Sequence, residues 1–169
     1  GYAYVNSKVT QIQGLAPVVF KDNTLLTSAQ AKLDFPLSYS PEHKLVVSAD
    51  YKLPLDKSVG EISLGATVTY TSAYYTTFGT AGQSPLVVNG DGVVAAATSD
   101  IGLIKPTTLL DLNVNWKSVG GLPVDLSFWA TNVTGKKYLS HVAGLLGYGF
   151  DFGQVGAPRM WGFKAKVHF

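Results

Sequence analysis

Histidine is the side chain most often recruited for proton transfer or metal ligation near neutral pH. This chain holds three, His43, His141 and His168. None stands in an H-E-x-x-H arrangement that would set two ligands on one helical face. No G-x-S-x-G nucleophile elbow is present, since Gly82-Gln83-Ser84-Pro85 lacks the second glycine. Gly135-Lys136-Lys137 lacks both the upstream glycine and the following hydroxyl of a phosphate loop. Asn89-Gly90-Asp91-Gly92 offers one carboxylate and no others at calcium-ligand spacing, so it reads as two overlapping turns. Asn132-Val133-Thr134 matches a glycosylation sequon and nothing catalytic. With no cysteine in the chain, thiolate metal sites, disulfides and thiol nucleophiles are excluded together. No enzyme activity, metal or cofactor is expected.

Binding is the better use of the chemistry that remains. Tyr74, Tyr75 and Phe78 follow one long alternating segment, and His141, Tyr148, Phe150, Asp151 and Phe152 lie in a later connection. Rings accompanied by one or two polar groups stack on a chelate or a sugar, so these eight are the candidate ligand contacts. The competing reading is that they pack loops together or belong to an interfacial aromatic girdle. Nucleic acid is not expected: the net charge is +2 and the lysines and arginine are scattered, with no basic stripe along the sequence.

Strands must position these residues. Hydrophobic residues make up 46% of the 169 and charged residues only 14%, against about 25% charged in ordinary soluble domains. Eighteen glycines with nine tyrosines, eight phenylalanines and three tryptophans suit a turn-rich β protein. No apolar run approaches the ~18 residues of a membrane-spanning helix, so any membrane crossing must use strands. Alternation is pervasive. From Trp161 to Phe169, Trp161, Phe163, Ala165, Val167 and Phe169 share one face, while Gly162, Lys164, Lys166 and His168 share the other. Segments 44–53, 61–71, 108–117 and 124–131 alternate in the same way, and 2–12 is read as a sixth strand. In 124–131 the exception is Trp129, an aromatic on the polar side. Each apolar stripe has about the 9–11 residues with which a tilted strand crosses a bilayer.

The connections alternate in length. Segments 53–60 and 118–123 are short turns, whereas 13–43, 73–106 and 134–159 are long. Short turns at one end and long loops at the other are the habit of membrane barrels, with the long loops outside the cell. A compact soluble domain seldom carries three long loops without structure of their own. The expected fold is therefore all-β: about six antiparallel, up-and-down transmembrane strands with short periplasmic turns and long extracellular loops, forming one unit over 1–169. Asp50, Asp111, Asp125, Lys52, Lys117, Lys164, Lys166 and His168 should face a wet lumen and pair there, because a buried charge without a partner is costly. Tyr51, Trp116 and Phe169 should mark the periplasmic interface, and Tyr70 and Trp161 the outer one. Arg159 is expected to pair with a nearby carboxylate and pin the last loop. The rival architecture is a soluble sandwich, which also alternates but needs its apolar faces to meet.

Four stretches carry a family resemblance. Gly156-Ala157-Pro158-Arg159-Met160-Trp161-Gly162-Phe163 resembles the G-x-P-R-x-W/Y-G stretch leading into the last strand of TonB-dependent outer-membrane receptors. Asn132-Val133-Thr134-Gly135-Lys136-Lys137-Tyr138 is similar to that family's N-L/V-x-D/G-x-x-Y, and Pro41-Glu42-His43-Lys44 resembles a further position in it. Trp161, Phe163, Val167 and the terminal Phe169 resemble the signal by which the barrel-insertion machinery recognises its clients.

The resemblance implies the C-terminal barrel region of such a receptor, resident in the bacterial outer membrane. Its barrels of about twenty-two strands surround a plug and take up scarce ligands such as metal chelates (siderophores), cobalamin or oligosaccharides. Outer-membrane lipid and the insertion machinery would be partners. Missing strands and the plug would come from the rest of a longer chain or from other subunits. About six strands leave two edges that lipid does not tolerate. This keeps open a second expectation, a short barrel subunit with a structural or assembly role, closed by oligomerisation or by a partner chain.

Overall fold

The computed structural model describes residues 1–11, 36–76, 86–88, 94–96, 102–145 and 150–169, with backbone alone at 86–88, 94–96, 144–145 and 150–151. Its elements are β1 (Tyr2–Tyr4), β2 (His43–Lys52), β3 (Glu61–Thr71), β4 (Tyr74–Tyr75), β5 (Leu86–Val88), β6 (Val94–Ala96), β7 (Leu103–Ile104), β8 (Thr107–Lys117), β9 (Val124–Thr131), β10 (Leu139–Leu145), β11 (Phe150–Val155) and β12 (Met160–Val167). A single short 3-10 turn, Val119–Gly121, is the one helical element among the described residues. The chain is all-β. Six strands form one antiparallel sheet in the order β1-β2-β3-β8-β9-β12, and three antiparallel pairs, β4-β7, β5-β6 and β10-β11, lie in the connections.

Register turns the sequence alternation into two chemically distinct faces. Residues opposite one another on neighbouring strands point to the same side, so each cross-strand row is of one kind. One row runs Tyr51, Leu64, Val114, Phe128, Phe163, and another runs Ala49, Ala66, Leu112, Ala130, Trp161. The rows between them run Asp50, Gly65, Asn113, Trp129, Gly162 and Lys52, Ser63, Asn115, Ser127, Lys164. A slip of one residue in any strand would scramble both faces. The shared register across five long strands is thus the direct product of their period-two pattern.

The apolar face is left uncovered, unlike that of a soluble protein. On the apolar face Phe163 is 78% exposed, Trp161 69%, Tyr51 60% and Val47 53%. On the polar face Gly65 is buried and Asn113 and Asn115 are half-buried, while the edge-strand residues Ser48, Asp50, Lys52 and Lys164 are exposed. Among the described residues the only buried hydrophobic side chains are Val9 and Ile104, neither in the six-stranded sheet. Each large apolar side chain left in water forgoes about 1.5–3 kcal/mol of burial. A face of this extent needs a cover, and no second described sheet lies on it as a sandwich would require.

The polar face is held by its own contacts. Lys52 pairs with Glu61, and His168 pairs with Asp125 at 2.8 Å. Ser48 and Thr67 share a hydrogen bond of 3.0 Å. Strands β2, β3 and β8 crowd their polar side chains together at Gly65. A methyl group there would lie 2.2 Å from Asn113 Oδ1 and 2.7 Å from Asp50 Oδ1, so a larger residue would have to displace both side chains. The glycine is needed for close approach of its neighbours.

The strand ends also fall where the aromatic residues call for them. Tyr51, Trp116 and Phe169 lie at the end of the sheet with the short turns, and Tyr70 and Trp161 lie toward the other end. Two expectations need correction. The first strand is only Tyr2–Tyr4, because past Val5, whose N–H still donates to the Glu42 carbonyl, the chain to Gln11 leaves the ladder and two clear faces do not form. The connections 73–106 and 134–159 are not structureless, since they contain β4 to β7 and the β10–β11 hairpin. Connection 13–43 lies largely outside the described residues.

Candidate functional site: the long-connection end of the sheet

Strand β3 runs on through Ser72 and Ala73 into β4, which pairs with β7 through Tyr74–Ile104 and Tyr75–Leu103. The β10–β11 hairpin is fastened to that pair by Thr76. Its buried hydroxyl has the carbonyls of Gly102 (3.1 Å) and Val142 within reach of its one proton, and it accepts the Val142 N–H at 3.2 Å. Thr76 therefore unites two connections remote in sequence.

Against this frame sits a small aromatic cluster. Tyr39 stacks on His141 with ring centroids 6.0 Å apart and planes only 3° from parallel, and its hydroxyl hydrogen-bonds to His141 Nδ1. Tyr74 lies 6.3 Å from Tyr39, and Phe152 lies 6.5 Å from His141. The Tyr74 hydroxyl donates to the Ser140 carbonyl at 3.4 Å. Burial pushes the Tyr74 phenol above its usual range, so it stays a neutral donor at neutral pH.

Of the candidate ligand residues, Tyr74, Tyr75, His141 and Phe152 are thus brought to one end of the sheet, the last three on different elements from one another. Phe150 and Asp151 lie on β11 in the backbone alone, paired with Leu145 and Gly144. Phe78 and Tyr148 lie outside the described residues. Sequence reasoning missed Tyr39 and Thr76. Tyr39 has a left-handed φ of 58°, a turn geometry no local pattern announced, and Thr76 is one hydroxyl among several in its stretch.

Below the cluster, the segments singled out as Asn132–Tyr138 and Gly156–Phe163 meet and form a clasp. Asn132 ends β9 with a left-handed φ of 48°, a conformation that asparagine tolerates better than most residues. It is only 3% exposed. Its Nδ2 donates to the carbonyls of Lys136 (2.9 Å) and Ala157 (3.1 Å), and its Oδ1 accepts the Lys136 N–H at 2.8 Å. The Asn132 N–H donates to Asp111 Oδ1 at 2.8 Å. Tyr138 closes the clasp: its carbonyl accepts the Gly156 N–H at 2.8 Å, and its ring lies where a Cβ on Gly156 would be, 2.2 Å from the ring carbons. One side chain therefore ties the β9–β10 turn to the segment leading into β12.

Beside the clasp opens a cavity of about 880 Å³. Leu103, Ile104, Pro106, Leu139 and Val155 supply apolar walls, and Lys105, Lys136, Lys137 and Arg159 supply cations. Among the described residues no carboxylate belongs to its lining. The expectation that Arg159 pairs with a carboxylate is not met, since the ion pairs among the described residues are Glu42–His43, Lys52–Glu61 and Asp125–His168. Arg159 lines the cavity instead, and backbone and amide contacts do the pinning. No group of three or more metal-ligating side chains occurs among the described residues.

Trp161, Phe163 and Val167 share the apolar face of the edge strand β12, and Phe169 follows it, fully exposed.

No protein-family model matches the sequence, and no curated protein matches it. Among solved structures the chain is similar to BauA, the ferric preacinetobactin receptor from Acinetobacter baumannii, at 17% identity and a TM-score of 0.48. The match covers 82% of this chain and 16% of that receptor, so the chain spans a small part of the length of the protein it resembles.

Proposed function

We propose that this chain is wall of an outer-membrane β-barrel, the C-terminal strands of a TonB-dependent transporter, with its aromatic cluster at the extracellular mouth. The observation that carries the reading is the two-faced sheet: a continuous apolar face stands exposed with no described sheet over it, while the other face is polar and bonded across its own strands. In a bilayer that arrangement is favourable, because lipid covers the apolar face and water fills the lumen side. The clasp adds support. The two segments that resemble the receptor family bond to each other, as parts of one inherited device would.

In this reading the chain contributes strands and binding loops to uptake of a scarce ligand, of the class of metal chelates, cobalamin or oligosaccharides, and catalyses nothing. Tyr74, Tyr75, His141 and Phe152, with Tyr39, are the ring contacts for that ligand. Trp161, Phe163, Val167 and Phe169 present the assembly signal to the insertion machinery. The plug and the remaining strands come from elsewhere.

Cell fractionation tests the localisation. The protein should be recovered in the outer-membrane fraction, resist carbonate extraction, and migrate faster on gels unheated than boiled. Recovery of folded protein in the aqueous phase without detergent would overturn the reading. A second reading, a short barrel subunit closed by other chains, draws on the two edges of the sheet. Among the described residues, only His43–Leu45 of β2 pair with β1, and β12 pairs with β9 alone. A stable oligomer of short subunits in mild detergent would favour it.

A further inference from the structure

Four of the chain's cations come from three separate connections. Lys105 precedes β8, Lys136 and Lys137 lie between β9 and β10, and Arg159 lies between β11 and β12. Topology gathers all four around one cavity of about 880 Å³. That volume is within the range of sites that enclose a small organic ligand, roughly 300–1,000 Å³.

Charge decides what kind of ligand. None of the four cations has a carboxylate within ion-pair distance among the described residues, whereas Lys52 and His168, at the other end of the sheet, are both paired. Clustering like charges is unfavourable unless an anion offsets it. The walls between them are apolar: Leu103, Ile104 and Pro106 on one side, Leu139 and Val155 on another. Inorganic phosphate alone would leave those walls unused, and a neutral sugar would leave the cations unused.

We infer that this cavity is a binding site for a soluble amphiphilic anion, one with an apolar or aromatic body and a phosphate, sulfonate or carboxylate group. The body lies against Leu103, Ile104 and Leu139, and the charged oxygens lie against Lys105, Lys136, Lys137 and Arg159. A soluble ligand is favoured over a lipid headgroup by the one lining residue inside the six-stranded ladder. Thr107 is paired with Thr71 on the polar face, not with the exposed apolar rows that lipid would cover. The site is distinct from the ring cluster and stands whether or not the sheet crosses a membrane.

The test uses 2-naphthyl phosphate as probe on the native-length protein, in zwitterionic nanodiscs or, if it proves soluble, in buffer. Calorimetry should find saturable binding of 2-naphthyl phosphate at least roughly 10-fold tighter than that of 2-naphthol or inorganic phosphate. Exposed charge-assisted contacts are worth several-fold each in affinity, so the double variant Lys105→Gln/Lys137→Gln should weaken it about 10- to 100-fold. These side chains are exposed, so circular dichroism of the variant should match that of the parent. Equal affinity for naphthol, or an unchanged affinity in a folded variant, overturns the proposal. So does a site filled only by phosphatidylglycerol in anionic nanodiscs, read by native mass spectrometry, with no binding of the soluble probe.

Discussion

Asn132→Ala should be among the most damaging single substitutions at the long-connection end, lowering stability by about 3–5 kcal/mol. Three side-chain hydrogen bonds disappear, to Lys136 O, Ala157 O and Lys136 N–H. Each is worth about 1 kcal/mol net, and more where the remaining partner stays buried and unsatisfied. The residue is nearly fully buried, which limits replacement by water. Alanine must also hold a φ of 48°, a further cost of about 1–2 kcal/mol in the left-handed region. Asn132→Asp separates the contributions, since it keeps the acceptor for the Lys136 N–H and loses both donors. Its second carboxylate oxygen would face the two carbonyls that Nδ2 served, a buried acceptor-to-acceptor contact, so it should be at least as damaging as alanine. Urea unfolding of the three proteins in one detergent or lipid system measures the series. If Asn132→Ala changed stability by less than about 1 kcal/mol, the clasp would not be holding the β9–β10 turn to the β12 lead-in.

The second large effect is expected in the middle of the sheet. Leu112 occupies the row Ala49, Ala66, Leu112, Ala130, Trp161 on the apolar face of β8. It is partly exposed to the space beyond that face. If lipid fills that space, Leu112→Arg should cost about 2–4 kcal/mol, the penalty of a cation on the lipid side near the bilayer centre. If water fills it, the same change is a surface substitution worth within about 0.5 kcal/mol. Thr67→Lys is the control at similar depth. Thr67 lies one residue along β3 from Ala66, on the polar face, opposite Asp111. There a lysine gains an oppositely charged neighbour, so stability should change by less than about 1 kcal/mol. Unfolding in bilayers of defined composition gives both numbers, and their difference is the lipid contribution.

The long strands were legible because alternation is a local property. Segments 44–53, 61–71, 108–117, 124–131 and 161–169 each carry an apolar stripe on one parity, and strands β2, β3, β8, β9 and β12 match them closely. Trp129, the aromatic on the polar parity, pairs with Gly162, whose missing side chain leaves room for the indole. The β10–β11 hairpin was not legible. Leu139 to Leu145 reads Leu-Ser-His-Val-Ala-Gly-Leu, without clean alternation, and its place depends on Thr76 some 66 residues earlier.

The site shows the same division between local and long-range information. Asn132 and Gly135 read as a turn, but nothing near Asn132 in the sequence announces its bond to Ala157. The cations read as scattered because they are scattered along the chain. Only the order of the strands brings Lys105, Lys136, Lys137 and Arg159 to one cavity. Arg159 was expected to find a carboxylate by proximity. In the fold its neighbours are other cations and apolar walls.

The central claim is that the apolar face meets lipid and the polar face meets water, residue by residue along one strand. The chain has no cysteine, so single cysteines at Leu112, Asn113, Val114 and Asn115 in β8 can each carry one nitroxide label. In lipid bilayers the account predicts strict alternation. Labels at Leu112 and Val114 should collide with dissolved oxygen and be shielded from a polar nickel chelate, and labels at Asn113 and Asn115 should do the reverse. Equal access of all four labels to the chelate would contradict it, placing both faces in water and the sheet outside the membrane.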